Sequence, residues 1–354
     1  MRILIHGATN GSNFGDCLFA HVFYEALLEF GDVDFLKKPR FGLCDYLARE
    51  IKNYKSSFKA KDADCLVYMS GGYFGDTTNS WKEAVVRYFR YFSVAKHFIK
   101  NSKPIYVCGV GGGPVNNRFL RKRMIQILNY ADFVSFRDQE TADYFVQNGL
   151  TNKVFVTTDT ALSIKGRALP QLSAEYESML GEKKNIFLHV YGDDNYNVEL
   201  EEKILPALNR FLNEHLNEYR VFVGTDNLCR GKVSELNIFR RLEADKIALE
   251  YYSTWDFCSL LGHMDSVITV KLHAGIVSAL YNKSVLSFAK HVNKTIRFYK
   301  QIGYIERCKL LRDIDAEKAY DMMNRYMDER IHIKQEIIDQ AKTNLCPFMK
   351  KGEH

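Results

Sequence analysis

The side chains best suited to chemistry gather at three points. Val270-Lys271-Leu272-His273-Ala274-Gly275 places a histidine where an apolar run gives way to a helical pattern. An imidazole beside a helix N-terminus can donate or accept a proton near neutral pH, whereas a buried, hydrogen-bonded one is simply core. Ser135-Phe136-Arg137-Asp138 puts an arginine at the carboxyl end of another apolar run. Its planar, permanently charged fork matches a carboxylate or a phosphate. The competing reading is an ion pair, with Asp138 as its partner or as a helix cap. Phe288-Ala289-Lys290-His291-Val292-Asn293-Lys294-Thr295 follows a third run, so its lysines reach the same edge as His273 unless they are merely solvated.

Three glycine-bearing segments accompany them: Asn10-Gly11-Ser12-Asn13-Phe14-Gly15-Asp16, Ser70-Gly71-Gly72-Tyr73-Phe74-Gly75-Asp76 and Gly109-Val110-Gly111-Gly112-Gly113-Pro114. Each is expected as a loop at the carboxyl end of a strand. There glycine lets backbone N–H groups approach a ligand, and Asp16 could cap the helix that follows. Tight turns without a ligand are the plain alternative.

Such loops need a parallel sheet behind them. Short apolar runs at 2–6, 65–70, 104–110, 133–136 and 154–157 alternate with helical patterns at 81–100 and 119–130. Runs at 185–190, 219–223, 266–270 and 284–287 repeat the arrangement, with helical patterns near 200–216, 232–242 and 272–281. This is the pattern of two Rossmann-like α/β domains, expected at 1–165 and 182–315 with a cleft between them. A linker carrying Gly166, Pro170, Ser173 and Gly181 separates them, and a helical segment at 316–354 closes the chain.

The chain has 354 residues, 46% hydrophobic and 26% charged, with 22 Gly and 6 Pro, which suits two globular domains and excludes a disordered or collagenous chain. No apolar run approaches the ~20 residues of a membrane span. The N-terminus turns polar at His6-Gly7, too early for a signal peptide, so a cytoplasmic protein is expected. Eight cysteines without a CxxC pair read as reduced core thiols. The surplus of 49 Lys+Arg over 43 Asp+Glu is spread along the chain and interleaved with aromatics in no recognised module, so no nucleic-acid partner is expected.

Taken in order, Asn-Phe-Gly-Asp, Ser-Gly-Gly, Gly-Val-Gly-Gly-Gly-Pro, Ser-Phe-Arg-Asp, Asp159-Thr160-Ala161-Leu162, Lys-Leu-His-Ala and Lys294 with Ile302-Gly303 resemble the polysaccharide pyruvyl transferase family over about residues 1–305. The resemblance implies a GT-B-like pair of Rossmann-like domains, and transfer of a pyruvyl group from phosphoenolpyruvate to sugar hydroxyls as a ketal. It implies no metal or cofactor. Catalysis would fall to Arg137, His273 and Lys294, and donor binding to these with Lys271 and Lys290. Lys271 stands where the family usually has arginine, and the choice between Lys290 and Lys294 stays open. The acceptor would lie on the N-terminal side, against Asn13, Gly15, Asp16, Gly71, Gly72, Tyr73, Asp76, Gly111 and Gly112. An acceptor carried on a polyprenyl diphosphate would call for peripheral membrane contact. The basic, aromatic stretch from Trp81 to Phe92 could supply it, or could be an ordinary core-facing helix. The rivals are a GT-B glycosyltransferase using a nucleotide sugar and a non-catalytic glycan-binding or assembly protein.

Overall fold

The computed structural model describes residues 1–38, 41–172, 174–226, 232–249, 253–290 and 292–348. Ser173 and His291, which figured in the expectations above, and Cys229, one of the eight cysteines, lie outside them. The chain divides into two compact units, Met1–Ser163 with Gln335–His354 and Ile164–Lys334.

Unit 1 is built on a parallel sheet of seven strands: β1 (Arg2–His6), β2 (Asp32–Phe35), β3 (Cys65–Tyr68), β4 (Gly71–Asp76), β5 (Ile105–Val115), β6 (Phe133–Phe136) and β7 (Phe155–Val156). The order is β2-β1-β3-β5-β6-β7, with β4 paired to β5. Residues such as Leu66, Val107 and Val134 are fully buried, as expected for strands covered on both faces. The helix Arg118–Tyr130 packs through Leu120, Met124, Ile127 and Leu128, one stripe at helical spacing. It is capped by Asn117, whose side chain accepts from Leu120 N–H at 3.2 Å.

Unit 2 repeats the design with β8 (Lys184–His189), β9 (Tyr219–Gly224), β10 (Lys246–Leu249), β11 (Ser266–Thr269), β12 (Ser284–Ala289) and β13 (Cys308–Leu310), in the order β10-β9-β8-β11-β12-β13. The helix Leu205–Glu214 buries Leu205, Leu208, Phe211 and Leu212, each contributing at most about 1.5–3 kcal/mol on folding.

Several expectations are corrected. The segments 71–76 and 111–113 are not loops: they lie in β4 and β5, where glycine permits the close, irregular pairing of these two strands. The helical pattern at 81–100 is broken into Trp81–Arg87, a π-helical turn Tyr88–Phe92 and Ala95–Lys100. The closing segment is not one piece. Its first helix, Ala316–Tyr326, belongs to unit 2, while Gln335–Lys342 and the residues after it return to unit 1. Among the described residues seven cysteines are free thiols, five of them buried. Among the described residues no helix is long and apolar enough to cross a membrane.

Candidate active site

In a parallel α/β sheet the carboxyl ends of the strands form the rim where ligands bind. Each unit has such a rim, and the singled-out residues divide between the two.

In unit 2 the rim collects Tyr191 after β8, Asp226 after β9, Lys271 and His273 after β11, and Lys290 after β12. Asp226 is 3% exposed and lies between two bases: Lys271 Nζ pairs with its carboxylate, and His189 Nε2 stands 3.4 Å from Oδ1. Burial pushes the Asp226 carboxyl up, but His189 and Lys271 outweigh it and hold the group well below the usual carboxylate range. His189 is fully buried, its Nδ1 2.8 Å from Thr269 Oγ1, and burial pushes its pKa down against the pull of Asp226. Lys271 is therefore aimed from a fixed, ionised base.

Lys271 Nζ lies 5.6 Å from the centroid of the Tyr191 ring, and Lys290 Nζ lies 5.8 Å from it. Lys290 is also 5.4 Å from the Tyr196 ring. Two ammonium groups thus converge on one phenol, whose pKa is pushed up to about 12, mainly by burial. His273 is the second residue of the helix Leu272–Leu280, whose unpaired N–H groups add positive potential at the same rim. Lys294 is exposed on the helix Val292–Gln301.

In unit 1 Arg137 takes the form of a buried ion pair. It is 6% exposed, with Nη1 3.1 Å from Asp159 Oδ2 and Nε 4.0 Å from Asp138. Asp138 also caps the next helix, accepting from Thr141 N–H at 2.8 Å. The motifs Ser-Phe-Arg-Asp and Asp-Thr-Ala-Leu are therefore two halves of one contact. Gly111 lies against the fork so closely that a Cβ there would sit 2.4 Å from Nε, and the nearest atom to a Cβ at exposed Gly72 would be Arg137 Nη2.

The other expected acceptor residues are unevenly available. Asn13 is the N-cap residue of the helix Phe14–Leu27, so Gly15 and Asp16 fall in its first turn; Gly15 is buried, and Asp16 faces the helix dipole rather than capping it. Tyr73 is 3% exposed, stacks on Tyr91 at 5.0 Å and donates its hydroxyl to Met69 O at 2.5 Å. A ring so enclosed cannot cover a sugar, which corrects the expectation of an open aromatic loop. Asp76 accepts from Thr78 N–H at 2.9 Å and lies 3.5 Å from Arg87. Gly71 and Gly112 are buried strand glycines.

Three participants gave no sequence signal strong enough to be singled out: His189, Asp226 and Asn344. Asn344, fully buried, comes from the returning C-terminal segment. It accepts from Ser135 Oγ at 2.7 Å and Thr157 Oγ1 at 2.9 Å, and donates to Thr158 O at 3.0 Å and Thr160 Oγ1 at 2.9 Å. Thr160 in turn shares a hydrogen bond of 2.5 Å with Ser70. Gly109, at φ +60°, leaves room for the amide: a Cβ there would come within 2.6 Å of Nδ2.

Comparison with known proteins adds the following. A family model described as Polysaccharide pyruvyl transferase matches residues 13–291. The solved structure of S. aureus MnaA with UDP is similar at TM-score 0.64 and 14% identity, over 99% of this chain and 92% of that one. A Methanocaldococcus jannaschii UDP-GlcNAc 2-epimerase in complex with UDP-GlcNAc and UDP gives TM-score 0.61 and 11% identity over 97% and 98%. Acinetobacter baumannii MurG gives 0.51 and 12% over 99% and 96%. At such identities these likenesses show the fold alone, two parallel-sheet Rossmann-like domains of GT-B type. No curated protein matches the sequence.

Proposed function

Because the chain belongs to the polysaccharide pyruvyl transferase family, we propose that it moves the pyruvyl group of phosphoenolpyruvate onto sugar hydroxyls of a surface or capsular polysaccharide precursor, forming a pyruvate ketal. The observation that carries this reading is the convergence of Lys271 and Lys290 on Tyr191, beside a helix N-terminus and His273. The donor bears a carboxylate and a phosphate on three carbons, and two cations with a helix N-terminus suit that charge pattern. Lys294 is the alternative second cation.

In the reaction we envisage, His273 in its acid form protonates the donor's methylene carbon, and C2 gains oxocarbenium character. A sugar hydroxyl adds to C2, its proton passing to the His273 imidazole that has just given one up, and the C2–O bond to phosphate breaks with its electron pair leaving on the phosphate. A second hydroxyl then adds and closes the ketal, its proton passing to solvent. Lys271 or Lys294 stabilises the charge on the departing phosphate. For the acceptor sugar, the candidate contacts are Asn13, Asp16 and Gly72 of unit 1. We place the reaction in the cytoplasm, with peripheral membrane contact where the sugar is carried on a polyprenyl diphosphate.

The test is mass spectrometry of candidate glycans and phosphate release after incubation with phosphoenolpyruvate. His273→Ala should lower turnover at least ~100-fold; near wild-type transfer would refute the acid role. Thermal stabilisation by UDP- or GDP-sugars but not by phosphoenolpyruvate would favour a nucleotide-sugar glycosyltransferase instead.

A further inference from the structure

The surplus of positive charge, expected above to be spread along the chain, is instead concentrated in one stretch. Residues 81–130 carry ten Lys and Arg and a single acid, Glu83, whereas the rest of the chain has 39 Lys+Arg against 42 Asp+Glu. These residues include the helices Trp81–Arg87, Ala95–Lys100 and Arg118–Tyr130 of unit 1. Some of the cations are committed locally, such as Arg121, which donates to Val115 O at 2.9 Å. Lys82, Lys96, Lys100, Arg118, Lys122 and Arg123 are exposed.

Large apolar side chains are exposed on the same stretch. Trp81 is 59% exposed, Val86 50% and Phe89 51%, while Ala84, Tyr91 and Phe92 form the inward face of the same run, residues 81–92. The apolar positions left outside are therefore surplus to the core. Cations surround them. Lys38 Nζ donates to Phe89 O at 2.7 Å and lies 5.7 Å from the Phe89 ring, and Arg123 lies 5.5 Å from the ring of Phe119, which packs against Trp81 at 4.9 Å. Next to them runs a groove of about 320 Å³ with Tyr88, Phe92, Ile99 and Ile127 in its wall and Lys96, Lys100 and Arg123 alongside.

We propose that this face of unit 1 docks on an anionic phospholipid surface, with Trp81, Val86 and Phe89 entering the headgroup layer and the surrounding lysines and arginines pairing with lipid phosphates. A helix with exposed Trp and Phe flanked by Lys and Arg has the composition that lies in a membrane interface. Charge argues against a second copy of this chain, since two such faces repel. Ring geometry argues against a nucleic acid: stacking needs open aromatic faces, and here Phe119 is occupied by Trp81 and Arg123, and Phe89 by Lys38 and the edge of Tyr88. The proposal deepens the peripheral-membrane part of the proposed function. Its test uses neither donor nor acceptor, so the two readings fail separately.

The full chain is sedimented with phosphatidylcholine vesicles made with or without phosphatidylglycerol. Binding is expected only with phosphatidylglycerol, falling as salt rises. Each cation at the surface is worth about fivefold in partitioning, so the charge-reversed Lys96→Glu/Lys100→Glu variant should bind at least ~30-fold more weakly. Phe89→Ala should weaken binding about tenfold. Both variants alter exposed side chains, and unchanged unfolding curves verify their folding. In a Trp255→Phe background, Trp81 emission should shift to the blue on anionic vesicles alone. Equal binding to both vesicle types, full binding by the charge-reversed variant, or displacement of vesicles by a single-stranded oligonucleotide would overturn the proposal.

Discussion

Replacing Asn344 by alanine tests whether the returning C-terminal segment holds the carboxyl rim of unit 1 together. Four hydrogen bonds disappear, but their partners do not suffer alike. Thr157 Oγ1 keeps Phe136 O at 3.1 Å, and Thr160 Oγ1 keeps Ser70 Oγ at 2.5 Å. Ser135 Oγ still accepts from Gly109 N–H at 2.7 Å but loses the acceptor for its own proton, and Thr158 O loses the amide donor. Two buried groups are thus stranded, at about 1–3 kcal/mol each. The expected loss is about 3 kcal/mol, towards the lower half of that range because Asn→Ala opens space for water. The chain offers a local probe, since its two tryptophans divide between the units, Trp81 in unit 1 and Trp255 in unit 2. Urea unfolding in a Trp255→Phe background, followed by Trp81 emission, reads unit 1. Asn344→Asp keeps an acceptor but buries a charge, so it should lose more stability at pH 7 than at pH 4. A loss below about 1 kcal/mol for Asn344→Ala would refute the reasoning.

His6 answers to the same unfolding probe, and Lys271 to steady-state kinetics. His6 is fully buried with Nε2 3.0 Å from Arg90 O, and burial lowers its pKa from 6.5 to about 4. The folded pKa lies below the unfolded one, so its contribution is fully present above pH 6.5 and is lost as the pH falls towards 4. That amounts to about 3 kcal/mol, and the Trp81 unfolding midpoint of His6→Gln should fall less steeply over this window; parallel profiles would contradict it. Lys271→Ala should raise the KM for phosphoenolpyruvate about 30-fold, because it removes a cation and leaves the Asp226 carboxylate repelling the anionic donor. Adding Asp226→Asn should recover part of the loss, whereas a double variant no better than the single one would refute that account.

What the sequence made legible follows from how each feature is encoded. Strands β1, β3, β5, β6, β8, β9, β11 and β12 are short apolar runs, and burial on both faces writes them plainly into the residue order. β2 is Asp-Val-Asp-Phe, and its buried Asp34 is satisfied by Tyr54 Oη at 2.5 Å and Ser56 Oγ at 2.8 Å, a compensation with no local trace. β4 is disguised by glycines that resemble a turn. The carboxyl-rim rule placed Arg137, Lys271, His273 and Lys290 just beyond strand ends, and that is where β6, β11 and β12 leave them. It could not find that Asp159, 22 residues on, would claim the Arg137 fork. His189 and Asp226 also end strands, but only their approach across the rim gives them meaning. Asn344 lies 209 residues from Ser135, and a lone amide near the end of a helical pattern carries nothing to mark such a partner.

The return of the last residues to unit 1 has a consequence for biosynthesis. Residues 1–163 leave the ribosome first, yet the amide that stitches β6, β7 and the Thr160 turn together emerges only after all of 164–334 has been made. At about 5–20 residues per second that is a delay of roughly 10–40 s. Throughout it the nascent first half waits with an unfilled seam, which a folding chaperone or a ribosome-stalled fragment would encounter and the finished protein would not.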